Sequence, residues 1–181
     1  KVTGQLEIPS SVTSIGKNAF YKNGFTALKL NEGLTTIGAS AFIQNQNLDG
    51  TLSIPNSVKE IGRSAFNSCK GLDKLELGTS TNNSNLETIG ALAFKDCTGL
   101  KGALKIPNSV ASLPDSVFIG CSGLNGTLTI GNSVNSIGVR AFSGCSALTG
   151  NLTIPNSVET IGVSAFENCS SVKTIDIPNS V

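Results

Sequence analysis

Apolar and polar residues alternate over short triplets spread along the chain. Leu128-Thr129-Ile130 reads apolar, polar, apolar, the period of two that marks a strand with one buried face. The same form recurs at Leu6 to Ile8, Leu28 to Leu30, Leu52 to Ile54, Leu75 to Leu77, Leu104 to Ile106, Leu152 to Ile154 and Ile175 to Ile177. A three-residue strand is too short to stand alone, but eight stacked in parallel form a sheet in which each strand buries its apolar residues against the next. After each triplet the pattern changes to Ile-Gly-x-x-Ala-Phe-x-x-Cys, with Phe and Cys at i and i+3, the spacing of one side of a helical turn. This predicts a short helical or 3-10 turn starting at the Gly, with the preceding Ser-Val-x-x-Ile extended. One unit carries Leu113-Pro114 in place of Ile-Gly. Proline holds φ near −65°, so this slot does not require a positive φ.

The units repeat in phase. Ile-Pro-x-Ser-Val occurs at Ile8, Ile54, Ile106, Ile154 and Ile177, and again at Ile130 with Gly131 replacing Pro. Phe20, Phe42, Phe66, Phe94, Phe118, Phe142 and Phe166 follow at a period of about 24 residues, the spacing of a solenoid whose coils bury a continuous core. Strand starts take two forms. Leu72 and Leu75 are three apart, whereas Leu48 to Leu52, Leu100 to Leu104, Leu124 to Leu128 and Leu148 to Leu152 are four apart with a Gly inserted, which predicts a kink there.

These pentads and the phased Phe and Cys slots resemble the BspA-like leucine-rich repeats over the whole chain. The resemblance implies an α/β leucine-rich-repeat solenoid of about seven and a half coils spanning residues 1–181. It further implies surface or secreted proteins of bacteria and some protozoa that adhere to host matrix proteins or cells, hence a cell-surface or extracellular location. Departures from the pattern are Asn23 and Asn45 in the Cys slot, Leu113-Pro114, and a polar insertion from Gly78 to Asn85 that should bulge from the rim.

Seven of the eight Phe fill one slot and Phe25 fills the first Leu slot of its strand, so all eight are expected in the core as a spine along the axis. Cys69, Cys97, Cys121, Cys145 and Cys169 occur one per unit where Asn23 and Asn45 stand earlier. Exchange of Cys with Asn at one slot points to a buried ladder residue serving the turn backbone. Coil spacing leaves disulfides within reach, but parallel side chains in identical settings favour free thiols. No CxxC pair exists for zinc, and no basic group stands at a fixed offset to activate a thiolate.

Composition narrows the chemistry. The 181 residues include no His, Met or Trp, which removes Ser-His-Asp triads, Cys-His pairs and His-based metal sites. Ser, Asn and Thr fill 57 positions while charged residues make up 14%, with a net charge of +1, so nothing marks a nucleic-acid partner. The longest apolar run is Ala91 to Phe94, too short for a membrane helix or a leader's apolar core, and membrane attachment would need parts outside this sequence. No cofactor or small-molecule substrate is expected. Glycoside cleavage needs only two carboxylates, but Glu7 and Glu76 lie three strands apart, roughly 14 Å by strand spacing, beyond the 5–9.5 Å or so that such chemistry uses.

Partner contact is therefore expected on the open strand face. Its central column is Glu7, Lys29, Ser53, Glu76, Lys105, Thr129, Thr153 and Asp176, and a second column includes Lys74 and Thr127. The candidate contact residues are Glu7, Lys29, Ser53, Lys74, Glu76, Lys105 and Thr129. The competing reading is that neighbouring charges, Glu7 beside Lys29 and Glu76 beside Lys105, only solvate the sheet. The earlier coils vary more than the last ones, which points toward the first half. Sequons at Asn82, Asn125, Asn151 and Asn168 are what the abundance of these residues produces by chance. Neither end shows a cap, so the sequence reads as a piece of a longer array, with edge-to-edge self-association expected of the isolated piece. The expected function is a non-enzymatic adhesion module, with a passive spacer as the alternative.

Overall fold

A computed structural model describes residues 2–78 and 84–181. The chain winds as a leucine-rich-repeat solenoid with parallel strands. One face carries β1 (Thr3–Ile8), β3 (Gly24–Leu30), β5 (Gly50–Ile54), β7 (Leu72–Leu77), β9 (Leu104–Lys105), β11 (Leu128–Thr129), β13 (Gly150–Thr153) and β15 (Val172–Asp176). The opposite side of each coil carries a two-residue strand ending at the Ile or Leu before the Gly or Pro slot. These are β2 (Ser14–Ile15), β4 (Thr36–Ile37), β6 (Glu60–Ile61), β8 (Thr88–Ile89), β10 (Ser112–Leu113), β12 (Ser136–Ile137) and β14 (Thr160–Ile161). The pentad makes the corner between the two: Val58 N–H donates to Pro55 O at 3.1 Å, closing a β-turn.

The helical turn expected around Phe is not there, and no helix occurs among the described residues. Phe42 N–H donates to Ala65 O of the next coil at 2.8 Å, not back along its own segment. Ser40 and Gln44 do the same, bonding Arg63 O and Asn67 O at 2.8 Å, while the residues between them close local turns. Ser40 and Gln44 have φ of 55° and 60°, and Ser64, Ser68 and Leu92 repeat this in later coils. A left-handed residue every fourth position turns alternate amides toward the neighbouring coil, so the segment becomes a third ladder. The i, i+3 spacing correctly put Phe and Cys on the same inner side but could not distinguish helix from chained turns, because both return side chains to one face.

Glycine in the Ile-Gly slot serves close approach. A Cβ on Gly90 would meet Arg63 N at 2.3 Å and Gly62 C at 2.6 Å, and Gly90 N–H donates to Ile61 O at 2.7 Å. Pro114 interrupts this run. It has no N–H, and the back ladder breaks there into β2-β4-β6-β8 and β10-β12-β14.

The strand face is also interrupted, into the pairs β1-β3, β5-β7, β9-β11 and β13-β15. Gly4, Gly50, Gly102 and Gly150, at φ of 76° to 90°, lie on or just before the first strand of each pair. Where pairing is longest the register shifts at this glycine, as at Gly50↔Leu72 followed by Thr51↔Lys74. Of the four inserted glycines expected to kink the strand entry, Gly50, Gly102 and Gly150 are left-handed, and Gly4 joins them in the first coil. Gly126, in the same slot, keeps a negative φ, and its Cβ would meet Ala103 N at 2.4 Å.

The core runs from Ile8 to Cys169 as one cluster. The seven slot Phe rings stack face to face along the axis, centroids 5.1 to 5.6 Å apart and planes within 13°. Phe42 through Phe142 are fully buried, whereas Phe20 and Phe166 are half-buried. Phe25 is buried and meets Phe20 edge-on at 5.8 Å.

Polar braces tie the corners together. Glu32 accepts the backbone N–H of Asn56 at 3.0 Å and of Ser57 at 2.9 Å, and Ser57 Oγ donates to Leu34 O at 2.7 Å. Slight burial pushes the Glu32 carboxyl up, but these donors outweigh it and hold its pKa below the ordinary value. A carboxylate lowered in the folded state gives stability that is present above its unfolded pKa, near 4.3, and lost as pH falls through the folded value. Stability measured by urea denaturation should therefore fall between pH 5 and 3, and Glu32→Gln should flatten that slope.

Candidate functional site

The Cys slot is the first place to look for chemistry, and its geometry makes it structural. Sγ of Cys69, Cys97, Cys121, Cys145 and Cys169 each donates to the carbonyl of the preceding coil's Phe, at 3.1 to 3.2 Å. Asn45 does the same work with its amide, donating to Phe20 O and Phe42 O at 2.8 Å. The exchange of Cys with Asn45 is thus a shared donor role at one buried position, whereas Asn23 in the first coil is half-buried and its Oδ1 accepts Val2 N–H at 3.4 Å. All five thiols are free and buried. Burial raises the Cys69 and Cys145 pKa to about 12 and pushes Cys97 and Cys121 well above the usual thiol range, with the neighbouring thiols adding to the rise except at Cys69. Thiol-labelling of the folded protein at pH 8 should modify Cys169, which is 9% exposed, before the four that are fully buried. Five equivalents should react only after denaturation.

The strand face is the remaining candidate, and the ladder sets its side chains in rows. Register pairs place Glu7 opposite Lys29, Ser53 opposite Glu76, Lys105 opposite Thr129, and Thr51 opposite Lys74. All seven candidates reach the surface, with Glu76 half-buried and the others exposed. Lys29 Nζ donates to Glu7 Oε1 at 2.7 Å, and Asn31 Nδ2 bonds the same oxygen at 3.0 Å. These contacts hold the Glu7 carboxyl below its ordinary pKa, first through the Lys29 bond.

Glu76 does not pair with Lys105. Its carboxylate accepts Lys74 Nζ at 2.8 Å and Ser53 Oγ at 2.7 Å, which together lower its pKa. The reason is tertiary: β7 and β9 fall on opposite sides of a break in the sheet, whereas Lys74 is two residues away on Glu76's own strand. At the strand starts Lys101 Nζ donates to Asp73 Oδ1 at 2.9 Å, lowering the Asp73 pKa and raising that of Lys101. The sequence columns omitted this pair. Its signal was present, since Asp73 and Lys101 each follow the Leu that precedes the triplet, Leu72 and Leu100.

Between Lys105 and β15 the strand face is neutral. A shallow groove of about 350 Å³ is lined by Thr127, Leu128, Thr129, Ile130, Asn132, Asn151, Thr153 and Pro155. A smaller polar pocket of about 140 Å³ lies on the turn side among Lys22, Asn23, Gln44, Gln46 and Asn47. Tyr21 is the sole exposed aromatic among the described residues, and it too lies on the turn side. No group of three metal-ligating side chains occurs among the described residues, and no helix there could cross a membrane. Of the insertion expected to bulge from the rim between Gly78 and Asn85, residues 79–83, with the Asn82 sequon, lie outside the described residues; Ser84 is buried and Asn85 N–H donates to Asn56 O at 3.2 Å.

Comparison with known proteins places this fold. A leucine-rich repeat protein from Bacteroides ovatus aligns with 28% identity and a TM-score of 0.83 over 98% of this chain. The chain spans 46% of that protein. A Treponema pallidum leucine-rich repeat protein aligns at 24% identity and a TM-score of 0.60, covering 80% of this chain and 77% of that one. A Eubacterium ventriosum leucine-rich repeat protein aligns at 17% identity and a TM-score of 0.52, covering 98% and 67%. These two share the fold. The search of curated proteins gave no match. Six copies of the BspA type leucine rich repeat region match residues 3–125 and 122–181, and the chain belongs to that family.

Proposed function

We propose that this chain is a non-enzymatic interaction module, displayed on a cell surface or secreted, whose strand face contacts host matrix or cell-surface proteins. The observation that carries the reading is the strand face itself. Eight strands from successive coils present exposed polar side chains in rows, an extended surface of the kind repeat proteins use for binding. Its chemistry suits recognition better than catalysis. The chain has no His, and the carboxylates whose pKa values are shifted, Glu7, Glu32, Asp73 and Glu76, are all shifted down, away from the raised value that a general acid needs. Membership of the BspA type family supports the surface location.

A spacer is the second reading. It is favoured by the way the charges of the first half satisfy one another, Lys29 with Glu7, Lys74 with Glu76 and Lys101 with Asp73. Exposed pairs of this kind are worth about 0–1 kcal/mol each, so they are weak barriers to a partner.

Immobilised matrix proteins and cell-surface proteins, at physiological salt, test the choice. Saturable binding that is lost in the variant Glu76→Ala with Lys105→Ala supports an adhesive strand face. Absence of binding by a folded protein supports the spacer.

A further inference from the structure

We propose that the strand face between β9 and β15 binds an extended peptide segment of a partner protein that carries one carboxylate and one ammonium group about four residues apart. The proposal rests on the strand-face reading above and specifies its occupant. Three observations point to it.

The first is charge. Of the three lysines in the two face columns, Lys29 and Lys74 hold carboxylates, at 2.7 and 2.8 Å, and Lys105 holds none. At the far side of the groove Asp176, the register partner of Thr153, is exposed and has no cation within ion-pair distance among the described residues. Lys105 and Asp176 are thus opposite charges left open on one surface. Three coil steps separate them, roughly 14 Å by strand spacing. An extended peptide covers that distance in about four residues.

The second is the break in the sheet beneath the groove. Ile106 N–H donates to Thr129 O at 2.9 Å, and Ile154 N–H donates to Asp176 O at 3.0 Å. The equivalent bond from Ile130 to Thr153 is not formed, and β11 and β13 are not paired. Ile130 lines the groove, so a main-chain donor is left for a peptide carbonyl there.

The third is the lining between the two charges. Thr127, Thr129, Asn132, Asn151 and Thr153 offer hydroxyl and amide groups with no carboxylate among them. Among the described residues no aromatic side chain stands on this face to stack on a sugar ring, which favours peptide over glycan.

The test uses the whole chain and the labelled peptide acetyl-Glu-Ser-Ala-Ser-Lys-amide, with acetyl-Gln-Ser-Ala-Ser-Gln-amide as the neutral control. Saturable binding is expected that weakens with salt, exceeds the control at least tenfold, and shifts the backbone amide resonance of Ile130. Lys105→Glu should reduce affinity at least tenfold, and a peptide with Lys in place of Glu should restore it. Lys59→Glu, on the other side of the coil, should change nothing. Equal binding of the neutral peptide, or indifference to Lys105→Glu in a variant with an unaltered melting temperature, overturns the proposal. If Lys105→Glu leaves matrix-protein binding intact while Glu7→Ala or Glu76→Ala abolishes it, the adhesive reading stands and this occupant fails. If no protein on the matrix panel binds while the peptide does, the reverse holds.

Discussion

Phe94→Ala should destabilise the protein by about 3–5 kcal/mol, measured by urea or guanidinium denaturation. Phe94 is fully buried in the middle of the ring stack, with Phe66 at 5.6 Å and Phe118 at 5.2 Å. Truncation removes apolar area from the core and leaves a cavity: three ladders hold this coil to the one before it, and the Phe-segment ladder, with Phe94 N–H donating to Val117 O at 3.0 Å, holds it to the next, so neither neighbouring ring moves freely into the gap. A terminal ring offers the control. Phe166 is half-buried and, among the described residues, stacks only on Phe142, at 5.4 Å, so Phe166→Ala should cost distinctly less. A solenoid's stability is close to a sum of coil and nearest-neighbour terms. Loss of the central ring should therefore also separate the unfolding of the two halves, visible as a second transition. A Phe94→Ala cost equal to that of Phe166→Ala would show that the stack is not a structural spine.

Gly90→Ala should cost about 1–3 kcal/mol, the range for overpacking, through backbone contact and not through φ. Its added methyl would meet the backbone of Gly62 and Arg63 at 2.3 to 2.7 Å, atoms that cannot rotate away. Coil four would have to move off coil three, stretching the 2.7 Å bond from Gly90 N–H to Ile61 O. The chain holds a natural counterpart in Pro114, the residue at which the back ladder breaks. Gly102→Ala makes the contrast. Nothing lies within 4 Å of its added Cβ, but its φ is 76°, so the cost is the left-handed penalty of about 1–2 kcal/mol. Hydrogen exchange distinguishes the two. Gly90→Ala should deprotect the amides of the back ladder around β6 and β8, whereas Gly102→Ala should leave them unchanged.

Much of this molecule can be read from its repeats. The triplet period located all eight strands of the open face, because alternate residues of a strand must divide between core and solvent. The Phe slot located the spine, since one aromatic per coil at constant phase has only one place to go. The Cys and Asn exchange identified a buried donor, because a thiol and an amide share little besides the capacity to donate a hydrogen bond from a small volume. The neighbouring pair Glu7 and Lys29 followed from register alone.

Other features were beyond the sequence because they depend on bonds between coils. Residues around Phe42 carry the side-chain spacing of a helix, yet their amides bond the next coil, and the left-handed φ values of Ser40 and Gln44 follow from that choice. Local propensity ranks helix against coil within one segment and does not count acceptors supplied by a neighbour. The same limit explains Glu76, which took Lys74 and Ser53 in place of Lys105 because the sheet is broken between β7 and β9. Periodicity specifies which residues face inward and which column they join; only the stacked coils decide which backbone groups meet, and so where the ladders break and which charges are left without a partner.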